Sequence, residues 1–107
     1  MIKLILLVVA PKLFMKTKYF QTTWKKTRKR IIERDKSCLI CKSEKSLHVH
    51  HVYDKSTYPR HCLTTRYLVT MCKDCHSDFH KWNGGYRVSC TPRDWNQWVD
   101  SIIVARG

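Results

Sequence analysis

The side chains with most chemistry in this chain are six cysteines and six histidines, and spacing sorts them into two sets. Cys38 and Cys41 form one C-x2-C knuckle, and Cys72 and Cys75 form a second one thirty residues later. A two-residue gap lets both thiolates of a knuckle reach one ion, and two knuckles complete the closed tetrahedral set that a structural Zn2+ takes. Two disulfides are the alternative for the same four residues, and they need an oxidising compartment. Cys62 and Cys90 have no partner at ligand spacing and read as small apolar residues. A closed four-thiolate site has no open position for water, so chemistry on a substrate must come from elsewhere.

All six histidines lie between residues 48 and 80, interleaved with the cysteines. His76 and His80 are four apart on an expected helix and so face one point in space. His50 and His51 end an expected strand beside that helix. Convergence of His50, His76 and His80 gives a three-nitrogen metal site with open positions, and His51 next to it is placed to take a proton from water. That is a hydrolytic arrangement. Adjacent strand residues point to opposite faces, so His50 and His51 serve one site only where the strand bends or ends. His48 reads as an exposed surface residue and His61 as a loop residue, at most a phosphate contact. A rival role for His76, which directly follows a knuckle, is support of the zinc thiolates.

The elements that must position these groups are short. From a cap at Thr22 or Thr23, Trp24, Ile31 and Ile32 share one face of a basic helix ending near Asp35. Segment 38–46 is turn-like, 47–52 alternates as a strand, 53–66 is a loop containing Pro59, and 68–71 is β-prone. The stretch CHSDFHKWN reads as a short helix stopped by Asn83, Gly84 and Gly85. In the tail, Thr91 is a cap, Pro92 opens a helix to about residue 104, and Trp95, Trp98, Val99, Ile102 and Ile103 form its apolar stripe. That stripe packs on the core or binds a partner.

The chain has 107 residues, a net charge of +13, and only three glycines and three prolines. One ordered domain fits this length, with a core small enough to need a metal or disulfide staple. The charge selects a polyanionic partner. Residues 12–30 carry eight cations and no acid, and within them Lys25, Lys26, Arg28, Lys29 and Arg30 are the candidate phosphate contacts. The apolar run at 4–10 is too short to span a bilayer and a poor signal peptide. The expectation is therefore a cytoplasmic protein without a membrane partner, with residues 1–21 as an extension and 22–107 as the single functional domain, its core at about 36–82. Met15 opens a second plausible start.

The combination W-x6-I-I-x-R-D-x2-C-x2-C, then LHVHHV, then LVTMC-KDCHSDFH resembles the HNH endonucleases, in their short zinc-knuckle forms frequent in phage genomes. The resemblance covers roughly residues 22–82. It implies a small α+β fold, a ββα-metal (His-Me finger) core with a four-cysteine structural zinc site, flanked by N- and C-terminal helices. By the same resemblance His50 and His76 are ligands of a catalytic ion such as Mg2+, Mn2+ or Ni2+. His51 is the general base, and His80 is a further ligand or phosphate contact. The activity implied is hydrolysis of DNA phosphodiester bonds, by nicking of duplex DNA, in the host cytoplasm where the gene is a phage's; terminase is the protein partner it adds. The chain departs from the family at the central Asn: Arg66 and Tyr67 precede Leu68, no Asn lies between His51 and His80, and Asn83 is the nearest substitute. Two other classes stay open, a zinc-knuckle nucleic-acid-binding module without catalysis and an adaptor that docks through the Trp95 and Trp98 helix. An expected activity profile rises through a histidine pKa near 6.5.

Overall fold

The computed structural model describes residues 11–106. After a helical turn at Pro11–Phe14, the chain forms α1 (Lys18–Asp35), β1 (Leu47–His51), β2 (Leu68–Cys72), α2 (Lys73–Trp82) and α3 (Pro92–Arg106). The two strands pair antiparallel, with His50 opposite Val69 and His51 opposite Leu68. This is a small α+β architecture whose helices pack around one hairpin. The apolar run at 4–10 lies outside the described residues.

Helix α1 starts earlier than Thr22. Its cap is Thr17, whose Oγ1 accepts from the Phe20 N–H at 3.2 Å, so the helix gains more than a turn from the KYFQ segment. Phe20 is anchored in a buried cluster with Phe14 and Cys62. The expected inner face holds: Ile31 is buried with Val49 and Leu68, and Trp24 and Ile32 pack against them. Helix α1 ends at Lys36, whose N–H still returns to the Ile32 carbonyl while its left-handed backbone (φ 65°) turns the chain out of the helix.

The Arg34-Asp35 pair fastens that end of α1 to β2. Asp35 Oδ2 accepts from the Thr70 N–H at 3.0 Å. Arg34 spans the gap with Nη1 on the Thr65 carbonyl and Nη2 on the Leu68 carbonyl, while its Nε holds Asp35 at 2.7 Å. The loop between the strands is more regular than its proline suggested, with 3₁₀ turns at Pro59–His61 and Thr65–Tyr67.

Helix α3 closes the far side of the domain. The Thr91 carbonyl accepts from the Trp95 N–H, and the Thr91 N–H and hydroxyl both donate to Asp94 Oδ2, so Asp94 supplies the carboxylate half of a capping box. Trp95 and Trp98 are buried with Phe79, Met71 and Val52, and Val99 and Ile102 pack against that cluster. Ile103, expected in the same stripe, is 62% exposed. The burial of both tryptophans removes the feature on which docking through this face rested. Among the described residues no helix is long and apolar enough to cross a membrane.

Candidate metal centres and cleft

The two knuckles meet. Cys38, Cys41, Cys72 and Cys75 present Sγ atoms that all lie within 4.8 Å of one another, and all six cysteines are free thiols. Cys41 Sγ and Cys72 Sγ, one from each knuckle, are 3.6 Å apart; thiolates on a common tetrahedral zinc, with Zn–S of about 2.3 Å, stand roughly 3.8 Å apart. The first knuckle turns tightly, with the Cys38 N–H on the Ser43 carbonyl and Lys42 at positive φ. The second uses Cys72 as the cap of α2, its sulfur accepting from the Cys75 N–H.

The charge state of this cluster also fits a cation. Burial opposes ionisation of Cys38, but the backbone N–H groups of Cys41, Cys72 and Ile40 outweigh it and draw the thiol down to about 7. Cys75 moves the other way, pushed up by burial and by the crowd of neighbouring thiols. Four sulfurs this close cannot all ionise without a positive ion between them, and a zinc ion removes that conflict.

The histidines form the second centre. His50, from β1, and His76 and His80, one turn apart on α2, bring three ring nitrogens within 4.8 Å of one another. His76 Nε2 lies 3.2 Å from His50 Nδ1 and 3.0 Å from His80 Nε2. Nitrogens about 2.1 Å from a shared ion stand roughly 3.0–3.4 Å apart, so the two separations from His76 match edges of one coordination shell. His80 Nδ1 is buried without a hydrogen-bond partner. His50 is nearly inaccessible, wedged against Phe79 and Trp95. Its burial, followed by the neighbouring His76 and His80, pushes its pKa down to about 2. Burial, again ahead of His80, lowers His76 to about 4, and burial lowers His80 as well. All three are therefore neutral at physiological pH, the form that binds a metal.

His51 is where β1 ends, which resolves the opposing-faces difficulty. His50 turns toward α2, and His51 turns toward α1 and the interstrand loop, yet both line one cleft of about 440 Å³. The His51 Nε2–H donates to the Cys62 carbonyl at 3.0 Å, since that oxygen can only accept. Nδ1 is thereby left as the basic nitrogen. Trp24 stacks on the ring with centroids 4.9 Å apart. Burial lowers the pKa to about 4, and the Cys62 carbonyl pulls it back only in part. The neutral ring therefore extends below the ordinary 6.5.

Several groups at this cleft were not singled out by spacing. Lys55 and Arg87 supply its cationic lining, and a second groove lined by Lys16, Phe20 and Gln21 runs on from it through Trp24, Lys55 and Ser56. Tyr86 stacks on His80 at 4.3 Å, presented by a turn in which Gly84 and Gly85 both have positive φ. Asp54 ties the loop after His51 to the start of α3: Oδ1 accepts from the Ser89 hydroxyl and the Cys90 N–H, and Oδ2 from the Thr57 N–H. Burial disfavours the Asp54 carboxylate, but these donors outweigh it and hold its pKa below the usual range. Only strand periodicity could have flagged another residue, His48, which shares a face with His50.

Other expectations land away from the cleft. Lys25, Lys26, Arg28, Lys29 and Arg30 lie along α1, and none lines the cleft; Arg28 is partly occupied, donating to the Leu47 carbonyl. Asn83 caps α2, and its Nδ2 donates to the Ser89 carbonyl, so its amide serves the 83–89 turn. His48 is only half-exposed and sits against His76, which corrects its reading as a bland surface residue. His61 packs among Tyr53 and Tyr67. Cys62 and Cys90 are buried as expected. No family model, curated protein or solved structure matches the chain, so any functional reading rests on these residues and their geometry.

Proposed function

We propose that the protein is a metal-dependent endonuclease of the HNH kind, with a ββα-metal core, that hydrolyses DNA phosphodiester bonds by nicking one strand at a time. The observation that carries this reading is the convergence of His50, His76 and His80 in the cleft that also holds His51. The strand pair followed by α2 is the order of elements such a core requires. The three histidines would hold a divalent ion such as Mg2+, Mn2+ or Ni2+, which would supply Lewis-acid stabilisation of charge on the phosphate.

The chain's own groups do the rest. His51 Nδ1 accepts the proton of the attacking water, with the Cys62 carbonyl fixing the tautomer and Trp24 holding the ring plane. The water oxygen bonds to phosphorus in line, and the bond from phosphorus to the 3′ oxygen breaks. The products are a 5′-phosphate and a 3′-hydroxyl protonated by solvent. Lys55 and Arg87 receive the flanking phosphates, and Lys16 extends the track along the adjoining groove. The cations of α1 add long-range attraction. The four cysteines hold a structural zinc and take no part in the reaction.

A second reading, a binding module that has lost catalysis, is favoured by the missing Asn between His51 and His80. An end-labelled duplex incubated with zinc-loaded protein and Mn2+ separates the two. Cleavage leaving 5′-phosphate ends, lost in His51→Ala, is the expected result. Salt-sensitive binding without cleavage under any ion supports the module instead. Terminase is proposed as a partner on the family resemblance alone, and co-purification tests it.

A further inference from the structure

His76 is the hub of the histidine cluster, because both of its nitrogens are engaged. Nε2 faces His50 Nδ1 and His80 Nε2, whereas Nδ1 faces His48 Nδ1 at 3.3 Å. His48 stands two residues before His50 on β1, so both project from one face of the strand toward α2. The two rings meet edge to face, with an interplanar angle of 89°. A neutral imidazole has one N–H and one lone pair, and the proton on the His48–His76 contact can sit on either ring.

That choice decides what Nε2 of His76 can do. With the proton on His48 Nδ1, His76 accepts at Nδ1 and must carry its own hydrogen on Nε2, pointing at the other two histidines and closing the site to a cation. With the proton on His76 Nδ1, His48 is the acceptor, its own hydrogen is on Nε2, and the His76 Nε2 lone pair is free for an ion. We infer that His48 is a positioning residue for the metal centre: it accepts the His76 Nδ1–H and so selects the tautomer and ring orientation in which Nε2 can bind an ion. His48 does not itself reach the ion, since the nitrogen it faces is the one His76 turns away from the cluster. The inference rests on the proposed metal centre, but not on the reaction carried out there.

Zinc-loaded protein titrated with Ni2+ by calorimetry tests this, with the cysteine-bound zinc content and circular dichroism reporting the fold. His48→Phe keeps a ring and removes the acceptor. It should weaken Ni2+ binding by about 10- to 100-fold, the range for loss of a hydrogen-bond partner behind a ligating histidine, with zinc content unchanged. His48→Asn, whose amide oxygen can accept, should recover part of that loss. Long-range 15N correlation spectra of the wild-type chain loaded with Zn2+ at both centres give a readout that needs no variant. His76 should carry its hydrogen on Nδ1, and His48 on Nε2. Wild-type affinity in His48→Phe, or His76 protonated on Nε2 in the loaded protein, overturns the inference. A wild-type chain that binds no Ni2+ overturns the metal centre with it. Duplex cleavage that fails while His48→Phe still weakens Ni2+ binding overturns the nuclease reading alone.

Discussion

At the scale of single residues, the cluster keeps its histidines from water. His51 is held by one carbonyl and one indole, and burial lowers its pKa to about 4. A general base must be unprotonated to act, so cleavage should persist as pH falls through 6.5 and decline only as it approaches 4. Single-turnover rates from pH 4 to 8 check this. A midpoint near 6.5 would mean that the cleft is wetter around His51 than its burial implies. The cysteines, and His76 with His80, were legible from spacing because ligand geometry imposes short, fixed intervals, and His50 from its place on the expected strand beside them. Asp54, Lys55 and Arg87 were not. Their roles come from where the loops after β1 and α2 carry them, and no interval in the sequence encodes that. His48 has an interval, two residues before His50 on one strand face, but it gains meaning only from its contact with His76.

At the scale of elements, β1, β2, α2 and the first knuckle present the ligand side chains, and α1 and α3 brace them from behind. Helix α2 carries Cys75 toward the zinc site and His76 and His80 toward the second centre, and Phe79 between them fills the core against Trp95 and Trp98. Removing Trp98 should therefore harm both centres at once. Trp98→Ala is expected to cost about 3–5 kcal/mol, the usual range for deleting a buried aromatic. Thermal melts at fixed zinc, together with weaker Ni2+ binding, would show it. The tail helix was readable to its cap because Thr91, Pro92 and Asp94 each act locally. The start of α1 was misplaced because Thr22 and Thr23 resemble caps as closely as Thr17 does. What selects Thr17 is the packing of Phe14 and Phe20 against Cys62, a contact distant in sequence.

At the scale of the whole molecule, a small basic domain carries two clusters of side chains that could each hold a metal ion, and acid opposes the neutral form of its buried histidines. His50, His51 and His76 all have folded-state pKa values below the ordinary 6.5, so the unfolded chain binds more protons. Stability contributed by their neutral forms is complete above 6.5 and is lost as pH falls, through about 4 for His51 and His76 and lower for His50. Melting temperature should therefore drop steadily between pH 7 and 4, and chelation of the cysteine-bound zinc at neutral pH should unfold the chain outright. In the proposed reading the net charge of +13 would supply affinity for DNA, and the cleft cations would set register. Lys55→Ala and Arg87→Ala should each flatten the log–log salt dependence of DNA binding by about 0.9 where the lost residue contacts one phosphate. Fluorescence anisotropy across a salt series measures it.

The most direct measurement is nicking of supercoiled plasmid by zinc-loaded protein supplied with Mg2+, Mn2+ or Ni2+, beside a chelator control and the His51→Ala and His76→Ala variants. Ion-dependent conversion to open circles that both substitutions abolish, with zinc content unchanged, is the expected result. Plasmid left intact under every ion, by protein that still binds DNA and holds its zinc, would contradict it.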